Sequence, residues 1–265
     1  MGWLLTDSSV LMSKVFVFIV GGFFLNIVAD LHCHTIASDH AFSTVSENQQ
    51  AAKEKNLIAL GVTDHGYGMA DAPHPWHFDA LKMLPRQVNG VYLIRGAEAN
   101  IMDYEGHLDL TDEELKKLDL VIASFHVPCC PPCKDPEQVS AAWMAVARNP
   151  HVDVIGHSGD QRYLFDFRPV IEEFAKQGKV VEINSHSFVV RPGSDGNCRK
   201  IARLCAEMEV PVLVNSDAHI CYHVGHVQEA VAMLEEIHFP ERLVLNAHTD
   251  RLMEYLRKKA PNPLV

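Results

Sequence analysis

Seven short apolar runs alternate with helical patterns along this 265-residue chain, and six of the seven deliver a metal-capable side chain at their C-terminal end. The runs are residues 24–31, 57–62, 91–97, 120–124, 152–155, 180–183 and 212–215. Buried apolar strands in regular βα alternation argue for a parallel sheet covered by helices. His32 and His34 follow the first run, Asp64 and His65 the second, Glu98 the third, His126 the fourth and His157 the fifth. Asp217 and His219 follow the seventh. Along an open, doubly wound sheet these groups would lie in a line and could not meet. In a closed ring they surround one cavity, at the strand ends where barrel active sites sit. The polar pattern therefore favours an α/β architecture closed into a seven-stranded (β/α) barrel. Ser46 is placed to cap the first helix, Asp135-Pro136 reads as an N-cap followed by proline at N1, and Ser194 is placed to cap a helix through Met208. Helices near 225–237 and 249–258 close the chain.

Side chains two apart on a strand point the same way, so His32 and His34 project together. With His40, His65, Glu98, His126, His157, Asp217 and His219 they make nine candidate ligands. A single histidine after a strand more often caps a helix or satisfies a hydrogen bond. Nine such residues on one rim are hard to obtain by chance. Nine ligands exceed one or two four-coordinate sites. If Glu98 bridges two ions, three sites with open positions for water follow naturally. An imidazole-rich shell with few carboxylates favours zinc, or manganese and iron, over magnesium and calcium.

The remaining features bound the function. The formal charge of −11 argues against a nucleic-acid partner, though bound cations would let the chain accept a phosphate. Seven cysteines without paired spacing read as reduced, mostly packed thiols, and the Cys129-Cys130-Pro131-Pro132-Cys133 cluster lacks the second pair that a structural zinc site needs. This points to a cytoplasmic protein. The apolar stretch Val15–Val28 is 14 residues long, short of the ~20 that span a bilayer. Cleavage after Ala29 would delete the strand that presents His32 and His34, so residues 25–31 are expected to be core and 25–265 a single barrel domain. Residues 1–24 have no role the sequence reveals, and a start codon set too far upstream would account for them.

The order His-x-His, Thr-Asp-His, a lone Glu, two separate His and Asp-x-His resembles the PHP superfamily, named for polymerases and histidinol phosphatases. Asp30-Leu31-His32-Cys33-His34-Thr35, Thr63-Asp64-His65-Gly66, Gly96-Ala97-Glu98-Ala99-Asn100, Ser124-Phe125-His126, Gly156-His157 and Asn215-Ser216-Asp217-Ala218-His219 carry the likeness. Within it, His40, Asp71-Ala72-Pro73-His74, Trp76-His77-Phe78, Gly193-Ser194 and Asn197-Cys198-Arg199 resemble the YcdX-like phosphatase branch. The resemblance covers about residues 27–257. It implies a distorted (β/α)7 barrel with a trinuclear centre. One ion would take His32, His34, Glu98 and Asp217. A second would share Glu98 and add His126 and His157. A third would use His40, His65 and His219. Ser158-Gly159 departs from the Pro-Gly found after this histidine in many relatives.

The expected reaction is hydrolysis of a small phosphorylated metabolite, a phosphomonoester, by hydroxide held between ions, with Glu98, Asp217 and His219 central to catalysis. His74, His77 and Arg191 are candidates for substrate contact, against ordering of a Pro-rich loop or plain solvation. Asp64 is placed either to orient a ligand imidazole or to cap a helix. His107, His151, His186, His223, His226, His238 and His248 read as structural or solvated. A phosphodiesterase or nuclease, an amidohydrolase and a non-catalytic metal-binding module are the alternatives. The acidic balance opposes the first, the lack of a lysine ending strand four opposes the second, and the full ligand set opposes the third. No membrane partner is expected, and a homo-oligomer is compatible with the sequence.

Overall fold

A computed structural model describes residues 25–261, so the 1–24 extension lies outside the described residues. The strands are β1 (Ala29–Asp30), β2 (Ala59–Val62), β3 (Gln87–Val88), β4 (Val91–Ile101), β5 (Leu120–Phe125), β6 (Val154–Ile155), β7 (Val180–Asn184) and β8 (Val212–Asn215). Helices α1 (Val45–Glu54), α2 (Trp76–Ala80), α3 (Asp112–Leu115), α4 (Pro136–Arg148), α5 (Phe167–Lys176), α6 (Ser187–Val190), α7 (Ser194–Glu207), α8 (Gln228–Glu236) and α9 (Thr249–Lys259) lie between and after them. Seven strands pair in parallel in the order β1-β2-β4-β5-β6-β7-β8, and β3 adds an antiparallel edge to β4. Among the described residues no helix is long and apolar enough to cross a membrane.

The sheet curls into a nearly closed, distorted (β/α)7 barrel. One apolar cluster takes Ala29, Ala59, Ile94, Leu120, Val154, Val180 and Leu213 from all seven parallel strands, and a Cys33–Ala218 bridge joins the β1 and β8 edges. Leu252, Met253 and Leu256 of α9 complete that cluster. The strand residues stand at or near the strand starts, so α9 plugs the end of the barrel opposite the candidate ligands. Leu25 is buried and its N–H donates to Glu235 Oε1 (3.0 Å), Ala29 to Leu31 are fully buried, and Asn26 between them is exposed.

The seam between β1 and β8 is stitched mostly by side chains. A single parallel bridge joins Cys33 to Ala218, with His34 N donating to the Ala218 carbonyl at 2.8 Å. Asn246 bridges it by side chain: its Nδ2 donates to the Ala29 and Val214 carbonyls (2.9 and 2.7 Å), and its Oδ1 accepts from Val214 N (3.1 Å). Asp30 accepts from Ser216 N at 3.1 Å and from Gly225 N at 2.7 Å. An Asn246→Ala protein should lose about 3 kcal/mol of stability, because three buried backbone groups would each lack a partner. Urea unfolding would read this as a lowered midpoint. A change below about 1 kcal/mol would mean the seam does not depend on it.

Several boundaries differ from expectation. β1 is two residues long, shorter than the apolar run 24–31, and Asp30 faces the seam while His32 and His34 face the cavity. β4 runs to Ile101, which places Glu98 inside a strand and not after it. Thr44, not Ser46, caps α1, because Glu47 lies three residues on and closes a capping box with it. Gly193, in a left-handed conformation (φ 72°), precedes α7, and Ser194 is its first helical residue. Asp135 does cap α4, accepting from Glu137 N.

Candidate metal centre

Glu98 is fully buried on β4, with imidazole nitrogens on both oxygens. Its Oε2 lies 3.2 Å from His32 Nε2, 3.4 Å from His34 Nε2 and 3.0 Å from His65 Nδ1. Its Oε1 lies 2.9 Å from His157 Nε2 and 3.4 Å from His126 Nε2. Asp217 Oδ1 closes the first group, 3.2 Å from His34 Nε2 and 3.6 Å from His32 Nε2. His126 and His157 hold their Nε2 atoms 3.2 Å apart, and His219 and His40 hold theirs 2.9 Å apart. Tetrahedral zinc with bonds of about 2.0–2.1 Å needs donors about 3.3 Å apart. The spacings of 3.2–3.6 Å suit donors around a shared ion, while the 2.9 Å pairs His157–Glu98 and His40–His219 are also within hydrogen-bond distance. His32 Nε2, both nitrogens of His34, His65 Nδ1 and Glu98 Oε2 are also buried without a hydrogen-bond partner among the described residues. Orphaned buried donors and acceptors are costly unless something else binds them.

The other ring nitrogen of four of these histidines is fixed. His32 Nδ1 is 2.7 Å from Glu182 Oε1, His126 Nδ1 is 2.7 Å from Asn100 Oδ1, and His219 Nδ1 is 3.0 Å from the Asp217 carbonyl. His40 Nδ1 pairs with Asp71. An acceptor at Nδ1 keeps the proton there and leaves the Nε2 lone pair free toward the centre, as metal-binding histidines require. Burial pushes the His126 imidazole down to about 4, into its neutral form. Burial works against charge on Glu98, yet His32, His126 and His65 outweigh it and hold the carboxyl well below the usual range. Asp217 is depressed likewise, with His32 and Arg191 overcoming burial.

A model of the PHP domain matches residues 30–186. The chain belongs to the PHP family. It is 48% identical, over 89% of its length and 93% of the relative's, to a protein of Caldanaerobacter subterraneus subsp. tengcongensis named a probable phosphatase. A probable phosphatase of Acetivibrio thermocellus is 40% identical over 89% of this chain and 97% of that one. Among solved structures, histidinol phosphate phosphatase from Lactococcus lactis subsp. lactis, crystallised with zinc, L-histidinol and phosphate, superposes with a TM-score of 0.57. That match covers 80% of this chain and 94% of that one at 16% identity, and so concerns the fold.

All nine sequence-predicted ligands of this PHP chain gather at the C-terminal end of the barrel. Two of them hold backbones that side chains rarely adopt, His157 at φ 23° and Asp217 at φ 57°. Such strain costs on the order of 1–3 kcal/mol each and persists only where neighbours enforce it. His65 sits differently from the others, with its Nδ1 rather than Nε2 aimed at Glu98. Its ring stacks 4.3 Å from that of His34 and lies 5.2 Å from that of His40.

The candidates for substrate contact divide. Arg191 is nearly buried and gives both terminal nitrogens to Asp217 Oδ2 (3.1 Å each), so it braces a candidate ligand and is not solvated. His77 Nε2 lies 3.1 Å from Asp64 Oδ2. His74 is exposed, accepts from Trp76 N and packs its ring on Trp76, as a loop-ordering residue does. Asp64 neither caps a helix nor touches the His65 ring. It accepts from Thr35 N, Thr35 Oγ1 and Ser38 Oγ, and Ser38 Oγ in turn accepts from His65 N. His186, read as structural or solvated, lies closer to the centre than expected, its Nδ1 3.4 Å from the Asp217 carbonyl. The cysteine loop forms no metal cluster among the described residues, and burial pushes the Cys129 thiol up to about 12. Glu182, Asn100 and Asn184 were missed. Glu182 carries a signal: it is a carboxylate inside the apolar run 180–183.

Proposed function

We propose that this PHP chain is a metal-dependent phosphoesterase that hydrolyses small phosphomonoesters at a centre of three divalent ions, zinc being the best match to its donors. The observation that carries the reading is the convergence of histidine ring nitrogens on two carboxylates, with Nδ1 of His32, His126, His219 and His40 tied from behind. His32, His34, Glu98 and Asp217 would hold one ion, Glu98, His126 and His157 a second, and His40, His65 and His219 a third. Ions so held supply an acidified water near pH 7 and positive charge for the phosphoryl oxygens. The chain's own groups prepare the site. Arg191 and Asn184 grip Asp217 Oδ2, so that Oδ1 faces the imidazoles. Glu98 stays ionised between five imidazoles. His40 and His219 are the ligands most open to solvent, with side chains 42% and 21% exposed, and so stand where a phosphate enters and an alcohol leaves. The relatives named probable phosphatases and the net charge of −11 both favour a small phosphorylated substrate over nucleic acid.

The test compares p-nitrophenyl phosphate with bis(p-nitrophenyl) phosphate, using protein stripped by chelator and then given back zinc or manganese. The monoester should be cleaved at least about tenfold faster, only after metal is restored. Preference for the diester would replace the monoester reading. Full metal occupancy without hydrolysis of either would remove the enzymatic one.

A further inference from the structure

Glu182 lies on β7, fully buried. Its Oε1 is 2.7 Å from His32 Nδ1 and accepts from Asn215 Nδ2 at 2.9 Å. Its Oε2 accepts from the backbone N–H of His157 at 2.9 Å and from Asn184 Nδ2 at 3.1 Å. A carboxylate has about four acceptor positions, and all four are filled, so Glu182 has none left for a metal ion. The two ligands it holds belong to different groups: His32 to the one with Asp217, and His157 to the one with His126. The Asn184 amide nitrogen also reaches Asp217 Oδ2 at 3.1 Å, extending the same brace to a third ligand. His157 is one of the two ligands with a strained backbone, and its N–H ends on Glu182.

We infer that Glu182 is a positioning residue that couples two ion positions, so that neither forms properly without it. This rests on the metal-centre reading above. The coupling is geometric, because one rigid, buried carboxylate fixes an imidazole on one side and a main-chain amide on the other. It is also a matter of protons. In Glu182→Gln one oxygen becomes an NH2 group, which must face a donor. The His157 amide cannot stop donating. If the NH2 faces His32 instead, that ring must move its proton to Nε2, the atom aimed at Glu98 and Asp217. If it faces His157, the strained backbone loses its anchor.

The test is zinc titration of the metal-free full-length protein against a chromophoric chelator, with far-UV circular dichroism reporting the fold. Wild type should take up three equivalents. Glu182→Gln should bind two of them about 10- to 100-fold more weakly, together, with the third unaffected. Glu182→Asp keeps the charge but retracts it by one methylene, and should weaken the same pair; it serves if the Gln variant does not fold. Loss of one equivalent alone, uniform weakening of all three, or wild-type binding by both variants would overturn the coupling. A wild type that takes up no zinc would overturn the metal-centre reading itself, which separates the two failures.

Discussion

Glu98→Gln is expected to lower turnover of p-nitrophenyl phosphate by about 10³-fold or more while the barrel stays folded. The substitution keeps the shape and removes the charge. Glu98 meets five imidazole nitrogens within 3.4 Å, three on one oxygen and two on the other. Glutamine offers one oxygen and an NH2 group, and the NH2 would point its hydrogens at lone pairs meant for an ion. The contribution of a well-held ion to transition-state stabilisation is several kcal/mol, and each 1.36 kcal/mol is tenfold in rate. Because Glu98 is the one residue common to two of the proposed ion positions, metal content should fall along with rate. Unchanged turnover would refute its bridging role.

Stripping the metal should abolish hydrolysis and also lower the melting temperature by an amount on the order of 10 °C. The reason is visible without the ion. The centre buries His32, His34, His65 and Glu98 with ring nitrogens and a carboxylate oxygen that find no hydrogen-bond partner among the described residues. It also holds two backbones in strained conformations. An ion at a free concentration a thousandfold above its dissociation constant stabilises the folded state by about 4 kcal/mol, and 1 kcal/mol moves a domain of this size by a few degrees. Calorimetry with and without a chelator, followed by zinc readdition, measures the shift. Coincident melting curves for stripped and loaded protein would show that the cluster does not bind metal tightly enough to matter.

The barrel and the ring of candidate ligands were legible because both rest on short-range, repeated patterns. Apolar runs mark strands, and a His, Asp or Glu at the end of most of them marks the rim. What sequence could not show was the far ends of contacts. Arg191 reads as a loop arginine until Asp217, 26 positions on, is seen beneath it. Asp64 looks like a helix cap from its neighbours, yet it works on Thr35 and Ser38, held against it by the β1–β2 pairing. Strand ends slipped for a different reason. β1 was expected to be longer because residues 24–31 are apolar, but its ladder stops where the seam substitutes side chains for backbone pairing. Cap positions at Ser46 and Ser194 failed locally, since a better cap or a left-handed glycine stood just upstream.

The seam also sets a timetable. Leu31 bonds to Asn215, Asp30 to Ser216 and Ala29 to Asn246, at sequence separations of 184, 186 and 217 residues. At about 5–20 residues per second of synthesis, β1 would wait on the order of ten seconds or longer for its second neighbour to emerge. During that interval His32 and His34 sit on an open sheet edge, out of reach of Asp217. Nascent chains halted before Asn246 should therefore remain sensitive to protease whether or not zinc is present, and those released beyond it should not. Equal resistance of both would mean the ring can shut without its final stitch.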